Sequence, residues 1–492
     1  MSLKRRLEFV DETLRDGQQS LWATRMKTES ILPVARAFNK AGFHYVTSIS
    51  GAAFETCVKF LGENPWDRLR LLRQQIPDTP LSVLLRGRNV LGWKRFPDDV
   101  VELTIRALKN IGIDWIMVFD GLNDIRNLEW HIKVAKSYGM KVNGALVYSE
   151  SPVHTDEYFA EKARHFKRLG VDSIMLEDAS GVLTPQRTKS LMASLRRAAG
   201  EVELQFQSHC STGQANECYI EAIKEGIDVA STAALPLSEG ESVPSHIKII
   251  HDARKLGIDV GLDERYINEL DDYLHWVAYK EQKPVGKSEP FNQIEFDKYV
   301  SHQIPGGMMS NLVSQLKDLG IENRLPEVLE EAGRVRQELG YPVMVTPLSQ
   351  LVGVQATFNV LEGKRYHTVP EDLRLYVRGY YGEFAAPIDQ NVLDRVLRDG
   401  ESDMLDPTSN FNDEYIKKAR AELGHTMSDE DLLLNIFNSK RTMNEFYQNQ
   451  KNLKLPISTS QPLIELIKEL EKRRNVRSFF VQNGSYKVKQ VF

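Results

Sequence analysis

The feature that most constrains the fold is an alternation that repeats eight times. Short β-rich runs occur at Leu7–Leu14, Tyr45–Ser50, Leu81–Leu85, Trp115–Phe119, Lys141–Tyr148, Ser173–Leu176, Glu203–Gln207 and Val229–Ala233. Amphipathic helical stretches lie between and after them, among them Thr28–Ala41, Asp98–Ile111, Asn127–Tyr138, Asp156–Leu169, Pro185–Ala199, Gly213–Glu225 and Pro244–Leu256. Glycines at 42, 112, 139, 170, 226 and 257 follow the helical stretches and read as C-caps that lead into parallel strands. Eight βα units in roughly 250 residues is the size of one α/β barrel. The expected fold is therefore a TIM (β/α)8 barrel. An open doubly wound sheet stays as the alternative, because periodicity does not show closure.

The chain has 492 residues, enough for a barrel and a second region of comparable size. After about residue 260 the strand pattern fades. Helical periods follow at Ser310–Leu319, Arg324–Leu339, Pro347–Leu361, Gln390–Arg398, Asn412–Gly424, Asp429–Gln448 and Gln461–Arg474. The last stretch, Ser478–Phe492, has β character and reads as an edge strand or a tail. The expected division is a barrel over 1–262, a mainly helical C-terminal domain over 263–450 that completes an active-site funnel, and a helical or extended tail over 451–492. A net charge of −5 gives no basic footprint for nucleic acid. No apolar run approaches the ~20 residues of a membrane span. The basic start, Met1 to Arg6, has no apolar segment behind it, and three cysteines fit a reducing compartment, so a cytoplasmic protein is expected.

In a TIM barrel, function sits at the C-terminal ends of the strands. The first strand ends in Arg15-Asp16 and Gln19, a pairing that suits a substrate anion beside a metal, or a plain surface ion pair. The third ends in Arg86, aimed at the mouth or its rim. The fourth ends in Asp120, a pocket carboxylate or a helix N-cap. The sixth ends in Glu177-Asp178, of which one points inward and one outward. On the seventh, Gln205, Gln207 and His209 share a face, while Cys210 falls on the other and reads as packed. Asp16, Glu177, Gln207 and His209 together offer oxygen and nitrogen ligands to a divalent ion.

The block Asp11-Glu-Thr-Leu-Arg-Asp-Gly-Gln-Gln-Ser-Leu-Trp-Ala-Thr-Arg25 resembles the opening of the carboxyltransferase domain of pyruvate carboxylase, oxaloacetate decarboxylase and transcarboxylase. The resemblance continues through Asn64-Pro-Trp-Asp-Arg-Leu-Arg70, Leu84-Leu-Arg-Gly-Arg-Asn89 and Glu177-Asp-Ala-Ser-Gly-Val-Leu183. It extends to Ile304-Pro-Gly-Gly307, Val345-Thr-Pro347 and Gly379-Tyr-Tyr-Gly382, and covers roughly residues 7–450. It implies a divalent metal (Mg, Mn or Zn), a 2-oxo acid substrate and a pyruvate-type enolate, in a homodimer served by biotin on a separate carrier protein. By resemblance Asp16 is the metal-binding Asp, and His209 is the second His of a His-x-His pair. Arg15, Gln19 and Arg86 contact the substrate, with Asp120 beside them. Arg15, Arg86 and Glu177 carry the catalytic roles.

Three departures stand out. Glu177 takes the place of the family's carbamylated metal-ligating lysine, and a Glu supplies a carboxylate without CO2. Gln207 takes the place of the first His, which shifts the ligand set toward oxygen and harder ions. The resemblance also implies a Thr-centred proton-shuttling segment ahead of Ile304, and Tyr279–Gln303 holds no Thr. No Ala-Met-Lys-Met biotin-attachment signature is present. The function expected is carboxyl transfer to, or decarboxylation of, a 2-oxo acid. A biotin-independent aldolase, lyase or Claisen-type synthase is the alternative, and a non-catalytic homologue the third reading.

Overall fold

The structure, a computed structural model, describes residues 5–305, 309, 312–313, 315–317, 320–397, 404–407, 411, 414–450, 461–473, 478–483 and 486–491. Eight strands form the barrel: β1 (Arg6–Asp11), β2 (Tyr45–Ser50), β3 (Leu81–Arg86), β4 (Trp115–Phe119), β5 (Lys141–Val147), β6 (Ser173–Asp178), β7 (Glu203–Ser208) and β8 (Val229–Thr232). Each pairs in parallel with the next, and β1 pairs with both β8 and β2. The sheet is thereby closed, which settles the barrel against the open sheet. All six of the expected cap glycines have positive φ. The helices Asp98–Ile111, Asp156–Leu169 and Pro185–Ala199 form over the expected spans. The last two start under side-chain caps from Thr155 and Thr184, each worth about 1 kcal/mol.

Inside the barrel the alternation of period two builds layers. Val10, Tyr45, Trp115 and Val229 fill the end where the strands begin. Above them Gln205 accepts from Tyr45 Oη (2.7 Å) and Asn143 Nδ2 (2.6 Å) and donates to Ser231 (2.7 Å). Gln205 is thus closed into a buried polar plug rather than offered to the mouth. Above one side of that plug lie Leu84, Met117, Phe119, Ala145, Val147 and Met175.

Several expected boundaries move. The first strand stops at Asp11, not Leu14, because the Asp11 carboxylate accepts from Thr13 N (3.0 Å) and Thr13 Oγ1 (2.7 Å) and bends the chain into a wide helical turn over Thr13–Gly17. The expected helix Thr28–Ala41 is broken into three short pieces around Pro33. Helices outside the expected stretches include Gly51–Thr56, Pro65–Gln75, Gln293–His302, Glu371–Val377 and Glu264–Lys280, and Ile267, Leu270 and Leu274 of the last share the barrel's core. The barrel's packing unit therefore runs past residue 262. Asp429–Gln448 is two helices, Asp429–Phe437 and Lys440–Asn449. Ser478–Asn483 and Tyr486–Val491 pair with each other in an antiparallel hairpin rather than adding an edge to another sheet. Of Ser310–Leu319, the residues Ser310, Asn311, Ser314, Asp318 and Leu319 lie outside the described residues, as do Gly306, Gly307, Arg398, Asn412 and Phe492.

The helical region has two destinations. Leu325–Glu338, Leu348–Glu362, Glu371–Val377 and Gln390–Val396 bury a core of their own. Asp429–Phe437 instead packs on the outside of the barrel, where Phe437 meets the rings of Phe54 and Phe96 edge-on. Between the first two helices the strap Pro342–Pro347 crosses the barrel mouth. Its Val343 joins the apolar cluster of Leu84, Phe119, Ala145, Val147 and Met175.

Candidate active site

The turn after β1 carries Glu12, Arg15 and Asp16 into the mouth. Arg15 is 2% exposed and faces three carboxylates: Glu12 (3.1 Å), Asp16 (2.7 Å) and Glu177 (3.5 Å). Burial by itself would pull its proton off, but these three acids hold it firmly on. Burial raises Glu12 to about 8 in spite of Arg15, and raises Glu177 as well. Asp16 moves the other way: burial opposes its charge, yet His209 and Arg15 keep it below the usual carboxylate range. His209 Nε2 lies 3.0 Å from Asp16 Oδ2, and although burial works against its proton, Asp16 raises it to about 9.

The register of β6 and β7 sets the rest of this sector. Glu177 pairs with Gln207 and Asp178 with Ser208. Glu177 points inward to Arg15, while Asp178 points outward and accepts from Val182 N, Leu183 N and Ser208 Oγ. The two adjoining loops touch closely at Gly181, where φ is +66° and a Cβ would sit 2.5 Å from the His209 carbonyl. Cys210 is 3% exposed and packed. Both amide atoms of the buried Gln207 have no hydrogen-bond partner, and Asp16 Oδ2 and His209 Nε2 have only each other, 3.0 Å apart. Unpaired buried polar atoms are rare in native proteins. Among the described residues no three His, Cys, Asp or Glu side chains converge as a metal cluster, because Glu177 turns to Arg15. The set of one carboxylate oxygen, one imidazole nitrogen and one unpartnered amide still fits the donor chemistry of a divalent cation.

The opposite sector differs in kind. Arg86 ends β3 with its guanidinium 4.6 Å from the Trp93 ring and a long contact to the Gly92 carbonyl (3.4 Å). Burial lowers it to about 10, and Glu55, engaged by the Trp93 indole, raises it only from a distance. Arg86 stays charged at neutral pH and faces a carbonyl and a ring rather than an acid. It lines a cavity with Arg95, Asp120, Asn127, Thr346 and Tyr381; Arg15 does not line it. Asp120 closes the turn after β4, accepting from Leu122 N, Asp124 N and Asn127 Nδ2, and burial, then Asp124, raises it to about 6. Gln19 accepts from Ser50 at the rim. Below Arg86, His131 is fully buried with Nε2 2.9 Å from the Gly87 carbonyl, and burial holds it down to about 3. Glu12, His131 and Val343 were missed by sequence reasoning. The period of two from Val10 was a signal that would have found Glu12.

A closed (β/α)8 barrel with ionisable side chains gathered where its strands end, under a helical roof, is the architecture of a barrel enzyme. Comparison with known proteins narrows that class. A family profile described as a conserved carboxylase domain matches residues 300–488. One of the pyruvate carboxylase subunits of Methanocaldococcus jannaschii is 41% identical over 435 residues, which are 87% of this chain and 75% of that protein. The 2-oxoglutarate carboxylase large subunit of Hydrogenobacter thermophilus is 32% identical over 96% of this chain and 72% of its own. The carboxyl transferase domain of Rhizobium etli pyruvate carboxylase, solved with oxamate and biotin, superposes with a TM-score of 0.84 at 27% identity, covering 91% of this chain and 78% of that one. The chain belongs to the carboxyltransferase family of the pyruvate carboxylases, and it is an enzyme of carboxyltransferase type. Among the described residues no helix is long and apolar enough to cross a membrane.

Proposed function

We propose that this enzyme transfers a carboxyl group to or from a 2-oxo acid of the pyruvate/oxaloacetate type by way of its enolate. A biotin-bearing carrier protein would be its partner, and the cytoplasm and a homodimer its setting. The observation that carries the reading is the unpartnered amide of Gln207 beside the Asp16–His209 pair, set next to an Arg-rich rim. Those three residues would hold a divalent metal, with Glu177 joining them where Arg15 yields it. When bound, the ion supplies positive charge against a developing enolate oxygen.

The chain's own residues do the remaining work. Arg86, free of an acid partner, binds the substrate carboxylate with the paired donors that a guanidinium presents. Arg15, locked by Glu12, Asp16 and Glu177, keeps a fixed positive charge at the floor of the mouth. Leu84, Phe119, Val147 and Val343 form an apolar wall that keeps water from the carbon that gains or loses the carboxyl.

The test uses purified protein with Mn²⁺. It measures loss of deuterium from [3-²H]pyruvate, decarboxylation of oxaloacetate, and carboxyl transfer from oxaloacetate to free biotin. Deuterium loss with biotin-dependent turnover is expected. Deuterium loss without carboxyl turnover would point to a lyase or synthase instead, and no exchange with any 2-oxo acid would end the enolate reading.

A further inference from the structure

The strap Pro342–Pro347 places Val343 among residues of the barrel interior, yet it belongs to the helical region. One buried cation ties its root to the barrel. Arg336, near the end of the helix Leu325–Glu338, is 4% exposed. Its Nη2 donates to Ser149 Oγ (2.8 Å) and to the Glu150 carbonyl (2.9 Å), both in the loop that follows β5. Its Nε donates to the Pro342 carbonyl (3.3 Å) at the root of the strap. Gln303 reinforces the same loop: its side chain accepts from Glu150 N and Ser149 Oγ and donates to the Glu150 carbonyl, and its own carbonyl accepts from Ser180 in the loop after β6. A guanidinium taken out of water and given neutral oxygens instead of an acid is an expensive way to join two chain segments. Its fork geometry is what makes it suitable, since it reaches two loops at once in a fixed plane.

We propose that Arg336 is a positioning residue that holds the strap shut over the barrel mouth, so that the carbanionic carbon of the enolate is shielded from water. The inference rests on the carboxyl-transfer reading above. In productive transfer from oxaloacetate to biotin, the C3–C4 bond breaks, the carboxyl carbon bonds to the ureido nitrogen, and that nitrogen's proton goes to C3. In the abortive route the same bond breaks, CO2 leaves, and water protonates C3 to give pyruvate. Arg336 selects the first route over the second by keeping Val343 seated.

Two measurements on the full chain test this, with Arg336→Met and the milder Arg336→Lys, each first checked for parental helix content. Hydrogen exchange of a peptide spanning 341–346 should speed up about tenfold or more in Arg336→Met, while a β6 peptide spanning 173–177 keeps the parental rate. The ratio of pyruvate formed without biotin carboxylation to pyruvate formed with it should rise about tenfold in Arg336→Met and less in Arg336→Lys. A residue that served stability alone would lower both routes together and leave the ratio constant. A strap that exchanges at the parental rate, a rise shared equally with β6, or a constant ratio each overturns the proposal. If the parent protein turns over no 2-oxo acid, the functional reading falls, and the exchange data alone decide whether Arg336 pins the strap.

Discussion

Two histidines at the same end of one barrel are driven to opposite states. His209 sits among Asp16, Glu177 and Asp178 and is raised to about 9 against its burial; His131 is pressed down to about 3 by burial and then by Arg88, although its bond to the Gly87 carbonyl works the other way. Both are buried, so burial does not distinguish them. The difference is the sign of the neighbourhood. The sector made by β1, β6 and β7 concentrates acids around Arg15, whereas the sector made by β3, β4 and β5 offers Arg86 and Arg95 with the single buried acid Asp120 and an apolar wall. A mouth divided in this way can hold a cation on one side and the carboxylate of an anionic substrate on the other. Neither sector alone could do both, because charges of one sign crowded in a low-dielectric site repel.

The division is broken most severely at Asp16, which faces both Arg15 and His209. Asp16→Ala should reduce carboxyl transfer by about 10³-fold or more, with metal content after dialysis falling in step. Full metal content in that variant would remove Asp16 from the ligand set. Next comes Arg86→Lys. A lysine keeps the charge but not the paired donors, so the KM for the 2-oxo acid should rise about 10- to 100-fold with little change in kcat. Unchanged steady-state constants would assign the substrate carboxylate elsewhere.

How much of this was legible follows the physics. The barrel was readable because eight buried parallel strands impose an apolar run and a cap glycine in most units, and these are local signals. That one of Glu177 and Asp178 points inward and the other outward followed from the period of two, and the structure makes Glu177 the inward one. The partition of charge was not legible. That Arg15 is locked by three acids while Arg86 faces a ring depends on Glu12 and on the bend forced by Asp11, and neither shows in a strand pattern. The strap was invisible for a similar reason. Val343 belongs to a loop in sequence and packs in the barrel interior, while Arg336, seven residues earlier, bonds the root of that loop at Pro342.

A milder probe of the acidic sector is Glu177→Gln, which keeps the size and removes a charge. Arg15 then retains Glu12 and Asp16, so the fold should persist, while metal affinity should fall about tenfold. Should the variant keep stoichiometric metal after dialysis against a weak chelator, Glu177 acts only on Arg15 and does not ligate.

The smallest effect should come from the opposite sector, at His131, and there the sign can be worked out in full. The unfolded chain takes up a proton on this histidine near pH 6.5, but the folded protein does so only near 3, because burial and then Arg88 oppose the charge. Between those values the unfolded state binds more protons, so stability rises with pH across the window. The contribution is complete above about 6.5 and drains away toward 3 at about 1.4 kcal/mol per pH unit. His131→Gln keeps a donor for the Gly87 carbonyl and removes the titration. At pH 7.5 the variant should be less stable by about 1 kcal/mol, from imperfect packing and a poorer hydrogen bond. As pH falls from 6.5 to 5 that deficit should shrink, and then reverse. The other histidines titrate alike in both proteins and cancel in the difference. Urea unfolding at pH 7.5, 6.5, 5.5 and 5 reads this directly. A deficit that stays constant across the four values would mean that His131 is not held neutral, and the contrast with His209 would lose its basis.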